Sequence, residues 1–393
     1  METSSRIQDV KTMNLPYSDE LNIGQLSCLF DNTSDSYKFF WFKAVLSNLL
    51  ISQASAEKRS TFSYEELIDS MIADAFYMVS EYHLNLGPND TLEKTVLLIN
   101  KKSGLKSNEE RKTILDYLKQ CKDKDINKCK KILTNMVPYR LLAPFLPDFR
   151  EKNGDWKGSP QTLIDRINQR DRLLYYYSAF DGMDTTITIQ PDWVRYLVKN
   201  GDIVSGWLEN CMIHYLQKRN PNVPGIADKL EPPHARNMGA VKKYWKAVTD
   251  VAPVYDIYAN ERVTADDISI DHFVPWSYVA HDELWNLSPT TKSVNSSKGN
   301  DLPEWDLYFP RLIRLEYQAN RLIWTNDTVH STFECCARKN LNDERVRYSL
   351  YRRDVSEQEF AARLQEIILP AYQSARNCGF QVWRLAGEPG RTR

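Results

Sequence analysis

No apolar run in the chain is long enough to span a bilayer, and Met1 to Lys11 is polar where a secretory leader carries an apolar core. Both absences point to a soluble, cytoplasmic protein with no membrane association. Paired cysteines are also missing. The seven cysteines, Cys28, Cys121, Cys129, Cys211, Cys335, Cys336 and Cys378, are odd in number and form no disulfide-like framework, which suits a reducing compartment. Nor do they fall at tetrahedral metal spacing, so no structural zinc is expected. An excess of one charge is lacking too. Against 51 Lys and Arg stand 52 Asp and Glu, a net charge of −1, so no global basic field draws the chain to a polyanion. No internal repeat or low-complexity tract is present.

What is present is ample material for packed interiors. The 393 residues are 42% apolar and include ten tryptophans and twenty-one tyrosines, too long a chain for one small core. The aromatic run from Tyr37 to Leu46 reads as a buried helix, with base stacking as its rival. Ser63-x-x-Glu66, Ser107-x-x-Glu110 and Ser356-x-x-Glu359 are capping boxes that should open helices, the last running to Pro370. Ser159 with Pro160 starts another, directed through Leu163 towards the tyrosines 175 to 177. Thr185 to Ile189 is strand-like, helices resume around Trp193 and over Ile203 to Gln217, and the tail from Gly387 to Arg393 reads as disordered. Lys101 to Lys131 is the most basic part, with eleven basic residues against five acidic, either a polyanion surface or a solvated helical hairpin.

Chemistry concentrates in one stretch, Ile268 to Pro303. Ile268, Ser269 and Ile270 alternate in the manner of a short strand that ends in Asp271-His272. Pro275 turns the chain, Trp285 to Ser288 supplies a returning strand, and Thr290 to Lys298 forms a short helix with Asn295 and Lys298 three apart on one face. Taken singly, each residue fits a turn, a cap or a strand end. Together they keep a fixed spacing: Asn286 lies fifteen residues after Asp271, Asn295 twenty-three after His272.

The pattern resembles the HNH, or ββα-metal, endonuclease finger over about residues 256–303, most closely that of the RNA-guided CRISPR nucleases. With the helices read along the rest of the chain, this gives a mostly helical α+β protein with the finger embedded between helical regions. Linkers and helix signals divide the chain into an N-terminal recognition or regulatory region over 1–235, with a sub-boundary near 150–160, a nuclease domain over 236–305 and a helical segment over 306–393. Asp271 and Asn295 offer hard oxygen donors suited to Mg²⁺ or Mn²⁺. His272 is the expected general base, since an imidazole near its reference pKa of about 6.5 keeps a neutral fraction at pH 7. By resemblance Asn286 orients His272, Lys298 lends positive charge at the scissile phosphate, and the products end in a 5′-phosphate and a 3′-hydroxyl.

Two features depart from a simple reading. Many such fingers carry Cys-x-x-Cys zinc knuckles, but the first would fall at Asp256-Ile257-Tyr258-Ala259, so neighbouring helices must buttress the finger. The stretch from Asp256 to Pro303 also holds three basic residues against eight acidic, so phosphate contacts must come from the flanks. Arg236, Lys242 and Lys243 before it and Arg345 and Arg347 after it are the candidates, with His281 as a weaker substrate contact. The expected activity is metal-dependent DNA hydrolysis in a restriction or phage-defence nuclease, with a regulatory protein or a second copy as partner. The rivals are a finger retained only for binding, and an RNase or nickase.

Overall fold

The structure is a computed structural model that describes residues 15–149, 153–231 and 238–387. Arg236 and the tail from residue 388 lie outside the described residues. The chain divides into two compact units, Met1–Asn220 and Pro221–Arg393. Helices dominate both, and the sheets are small. Among the described residues no helix is long and apolar enough to cross a membrane.

In the first unit the helix Tyr37–Ala54 buries Phe39, Phe40, Trp41 and Phe42 on successive positions, which leaves no aromatic face free for bases. Trp41 donates its indole N–H to the Tyr175 hydroxyl at 3.0 Å, and Tyr175 in turn donates to the Pro138 carbonyl at 2.6 Å. The aromatic run is therefore core, with its polar atoms satisfied. The expected box at Ser63 and Glu66 caps the helix Tyr64–Ser80. The one at Ser107 does not form: Ser107 donates to Glu81, and the helix Arg111–Gln120 starts later without a side-chain cap. The helix begun at Pro160 stops at Asn168, and the three tyrosines expected on it form a strand instead. Arg172, at a φ of 58°, turns the chain between them. Three antiparallel strands result, β1 (Thr61–Ser63), β2 (Tyr175–Tyr177) and β3 (Thr186–Ile189), with β3 central. Alternate burial of Ile187 and Ile189 explains why β3 reads as a strand.

The second unit holds the finger. β4 (Ser269–His272) pairs antiparallel with β5 (Leu287–Thr290), Asp271 opposite Ser288 and His272 opposite Leu287. Phe273 donates its N–H to the Asn286 carbonyl at 2.8 Å, which sets the hydrogen-bonded pairs at 273–286, 271–288 and 269–290. Pro289 then falls where the missing N–H would have pointed away from β4, so the ladder loses nothing. Thr291 caps the helix Lys292–Lys298 by accepting from Val294 N at 3.3 Å. The returning strand begins two residues later than expected, because Leu284–Asn286 is a 3₁₀ turn.

Among the described residues five helices follow or flank the finger: Gly239–Val251 before it, then Trp305–Ile323, Asp327–Asn340, Glu344–Leu350 and Glu357–Asn377. The last passes through Pro370 rather than ending there, opened by the predicted box of Ser356 and Glu359. Beyond it β7 (Val382–Trp383) returns to pair parallel with β6 (Leu302–Pro303), at the exit of the finger. The C-terminal segment is thus built into the same unit as the nuclease stretch.

Candidate active site

Successive residues of a strand point to opposite faces, so Ser269 and Asp271 share the face of β4 under the short helix. Asn295 donates its amide nitrogen to Ser269 Oγ at 2.9 Å and to the Ile270 carbonyl at 3.0 Å. Both donations fix the carboxamide through its nitrogen and leave its oxygen as the atom that could serve as a cation donor. Lys298, one turn on, reaches the same strand. Its Nζ lies 3.2 Å from Asp271 Oδ1, 3.1 Å from Oδ2 and 2.8 Å from the His272 carbonyl. Asp271, His272, Asn295 and Lys298 line one cleft of about 380 Å³, together with Met238, Trp276 and Asn300.

His272 is 8% exposed, and its Nε2 hydrogen-bonds Asp282 Oδ1 at 2.8 Å. In the neutral tautomer that donates Nε2–H to that carboxylate, Nδ1 carries the lone pair. Asp282 is a site residue the spacing did not reveal, because it sits in the loop between the strands. Asn286 was expected to hold the imidazole; it acts on the backbone instead. Its Oδ1 accepts from Val274 N and its Nδ2 donates to the Val274 carbonyl, each at 2.8 Å, clamping the chain two residues past His272.

Lys298 also departs from expectation. At 1% exposure its charge meets the Asp271 carboxylate at the wall of the cleft. A second residue missed from sequence lies opposite: Tyr258 donates its hydroxyl to Asp271 Oδ2 at 2.5 Å. It stands in the position of the absent zinc knuckle, whose turn is closed by other means. Asp256 Oδ1 accepts from Tyr258 N at 2.7 Å, Asp256 Oδ2 accepts from Thr290 Oγ1 at 3.1 Å, and Arg311 donates to the carbonyls of Ile257 and Tyr258. Burial pushes the Asp256 carboxyl above its ordinary range, and drives the Tyr258 phenol well up, reinforced by the neighbouring Asp271.

Among the described residues no group of three or more His, Cys, Asp and Glu could hold a metal ion. One carboxylate and one carboxamide remain, both on the cleft. That donor set fits a magnesium-class ion, which takes most of its oxygen shell from water and substrate.

The flanking contacts divide. Lys242 and Lys243 are exposed on the helix that starts just after Met238 of the cleft, and neither forms an ion pair among the described residues. Arg345 is exposed and pairs with Asp343, two residues away, whereas Arg347 is half-buried and spends its charge on Glu334 at 2.7 Å. His281 is not a cationic contact. Burial, then the nearby His272, brings its pKa down to about 4, and its Nδ1 accepts from Glu283 N at 3.4 Å.

Residues 256–304 match the family model of the HNH endonuclease. No curated protein and no solved structure matches the chain, and nothing in these comparisons shows a particular likeness to the CRISPR nucleases.

Proposed function

We propose that this chain, whose 256–304 segment belongs to the HNH endonuclease superfamily, is a divalent-metal-dependent endonuclease that hydrolyses DNA phosphodiester bonds. The observation that carries the reading is the meeting of Asp271, His272 and Asn295 on one cleft, with His272 held by Asp282. Asp271 and Asn295 hold the cation, which supplies polarisation of the phosphate and charge relief for the leaving oxygen. His272 takes the proton of the attacking water at Nδ1, Asp282 fixes its tautomer, and Asn286 sets the backbone that aims it. Lys242 and Lys243, exposed on the helix that follows Met238, contact the DNA backbone. The helical unit Met1–Asn220 supplies recognition or restraint, as in a restriction or phage-defence nuclease acting with a protein partner or a second copy.

Incubation with supercoiled plasmid and Mg²⁺ or Mn²⁺ tests the activity. Nicked or linear product is expected, and it disappears in EDTA and in His272→Ala, which loses at least the ~10²–10⁴-fold a positioned base contributes. His272→Ala keeps its cation affinity while Asp271→Ala loses it; cutting by His272→Ala at the wild-type rate would reject the base. One observation favours a second reading, a finger kept only for binding: Lys298 already satisfies the Asp271 charge that a cation would use. A wild-type chain that binds DNA but neither Mn²⁺ nor cuts would decide for it.

A further inference from the structure

Tyr258 is wholly buried, and nothing in the expected chemistry uses it. Its ring is wedged edge-on against Tyr308 at 5.2 Å and Trp383 at 5.4 Å. Its backbone is tied at both ends of the residue, the N–H to Asp256 and the carbonyl to Arg311 at 3.0 Å. The hydroxyl therefore has one place to point, and that place is Asp271 Oδ2, 2.5 Å away. A side chain that only filled the core there would need no hydroxyl.

Resting on the nuclease reading above, we propose that Tyr258 is a positioning residue for the cation site: its hydroxyl pins Asp271 through Oδ2 and leaves Oδ1, shared with Lys298, as the oxygen offered to the ion. Partners that orient a metal ligand typically change affinity by about 10–100-fold when removed. Tyr258 does this from the turn that a zinc knuckle would occupy, so one substitution of protein for metal both closes the turn and aims the ligand.

The test is a Mn²⁺ titration of the full chain, followed by electron paramagnetic resonance of the free ion, for wild type, Tyr258→Phe, Asp271→Asn and the double variant. Tyr258→Phe keeps the ring contacts. It is expected to bind Mn²⁺ about 10–100-fold more weakly, while the double variant binds no worse than Asp271→Asn alone. Wild-type affinity in Tyr258→Phe, or a further loss on top of Asp271→Asn, would overturn the role. Thr290→Val loosens the same turn through Asp256 without touching Asp271, and should lower the melting temperature but not the affinity. Should Tyr258→Phe fail to fold, Mn²⁺ broadening of ring-labelled Tyr258 in the wild-type protein decides, and absence of broadening overturns the proposal. Wild-type affinity that Asp271→Asn removes but Tyr258→Phe does not rejects this inference alone. A wild-type chain without Mn²⁺ affinity rejects the nuclease reading with it.

Discussion

Lys298 is a charge with almost no water: 1% exposed, it is balanced by Asp271 and by the His272 carbonyl. Removing one partner of such a pair leaves a buried charge uncompensated, at a cost of about 3–5 kcal/mol. Lys298→Met should therefore melt well below wild type in EDTA. The bare Asp271 carboxylate then becomes a better cation site, so Mn²⁺ should raise the melting temperature of the variant more than that of wild type. Equal shifts in thermal scans with and without Mn²⁺ would show that Lys298 does not compete for the ligand. His281 permits a pH argument with a definite sign. Its folded pKa of about 4 lies below the ordinary 6.5, because burial and then His272 oppose its charge. Above pH 6.5 it is neutral folded and unfolded and costs nothing. As pH falls through 6.5 the unfolded imidazole gains a proton that the folded one refuses until about 4, so stability drops across that window. His281→Gln should narrow the fall in melting temperature between pH 7 and pH 5. An unchanged fall would mean that other groups carry it.

Elements whose signals are local were legible in the sequence, and those that depend on distant partners were not. Ser63 and Ser356 each reach a glutamate three residues on, and both boxes cap their helices. Ser107 carries the same pattern but lies beside Glu81, a better acceptor brought in by the fold. The tyrosines 175 to 177 continue a helical pattern on paper. In the structure Tyr175 and Tyr177 pair across to Ile189 and Ile187 of β3 and reach the Pro138 carbonyl, contacts with no local trace. The candidate site divides the same way. Asp271, His272, Asn295 and Lys298 were visible because a strand, a turn and a helix fix their separations. Tyr258 and Asp282 were not, since a tyrosine in a turn and an aspartate in a loop become site residues only through the atoms they meet. The same limit misdirected Asn286 and Lys298, whose identities were informative and whose partners were not.

At the scale of the whole molecule, the family match ends at residue 304, but the finger's own core does not. Phe273, directly after His272, packs against Trp305 and Phe309 of the following helix and Tyr372 of the last one. Tyr258 lies against Tyr308 and Trp383. β6 completes its ladder only with β7, some eighty residues later, where Leu302 N donates to the Gln381 carbonyl at 2.8 Å. Asn340 and Asn342 also close the loop that carries Asp282: Asn340 donates to the Asp282 carbonyl at 2.8 Å, and Asn342 binds the Glu283 carboxylate. A zinc-knuckled finger can draw such stability from its metal, whereas here it comes from helices far along the chain. A fragment limited to 256–304 would expose each of these aromatic faces at once, at roughly 1.5–3 kcal/mol per large side chain. It should show no cooperative thermal transition, with or without zinc. A fragment spanning Pro221–Arg393 keeps every one of these contacts and should melt as a single transition that EDTA alone leaves in place, because metal is not what holds the turn at Asp256 to Glu261. Cooperative melting of the short fragment would mean that the strands and helix of the finger suffice, and that the C-terminal helices serve something other than its fold.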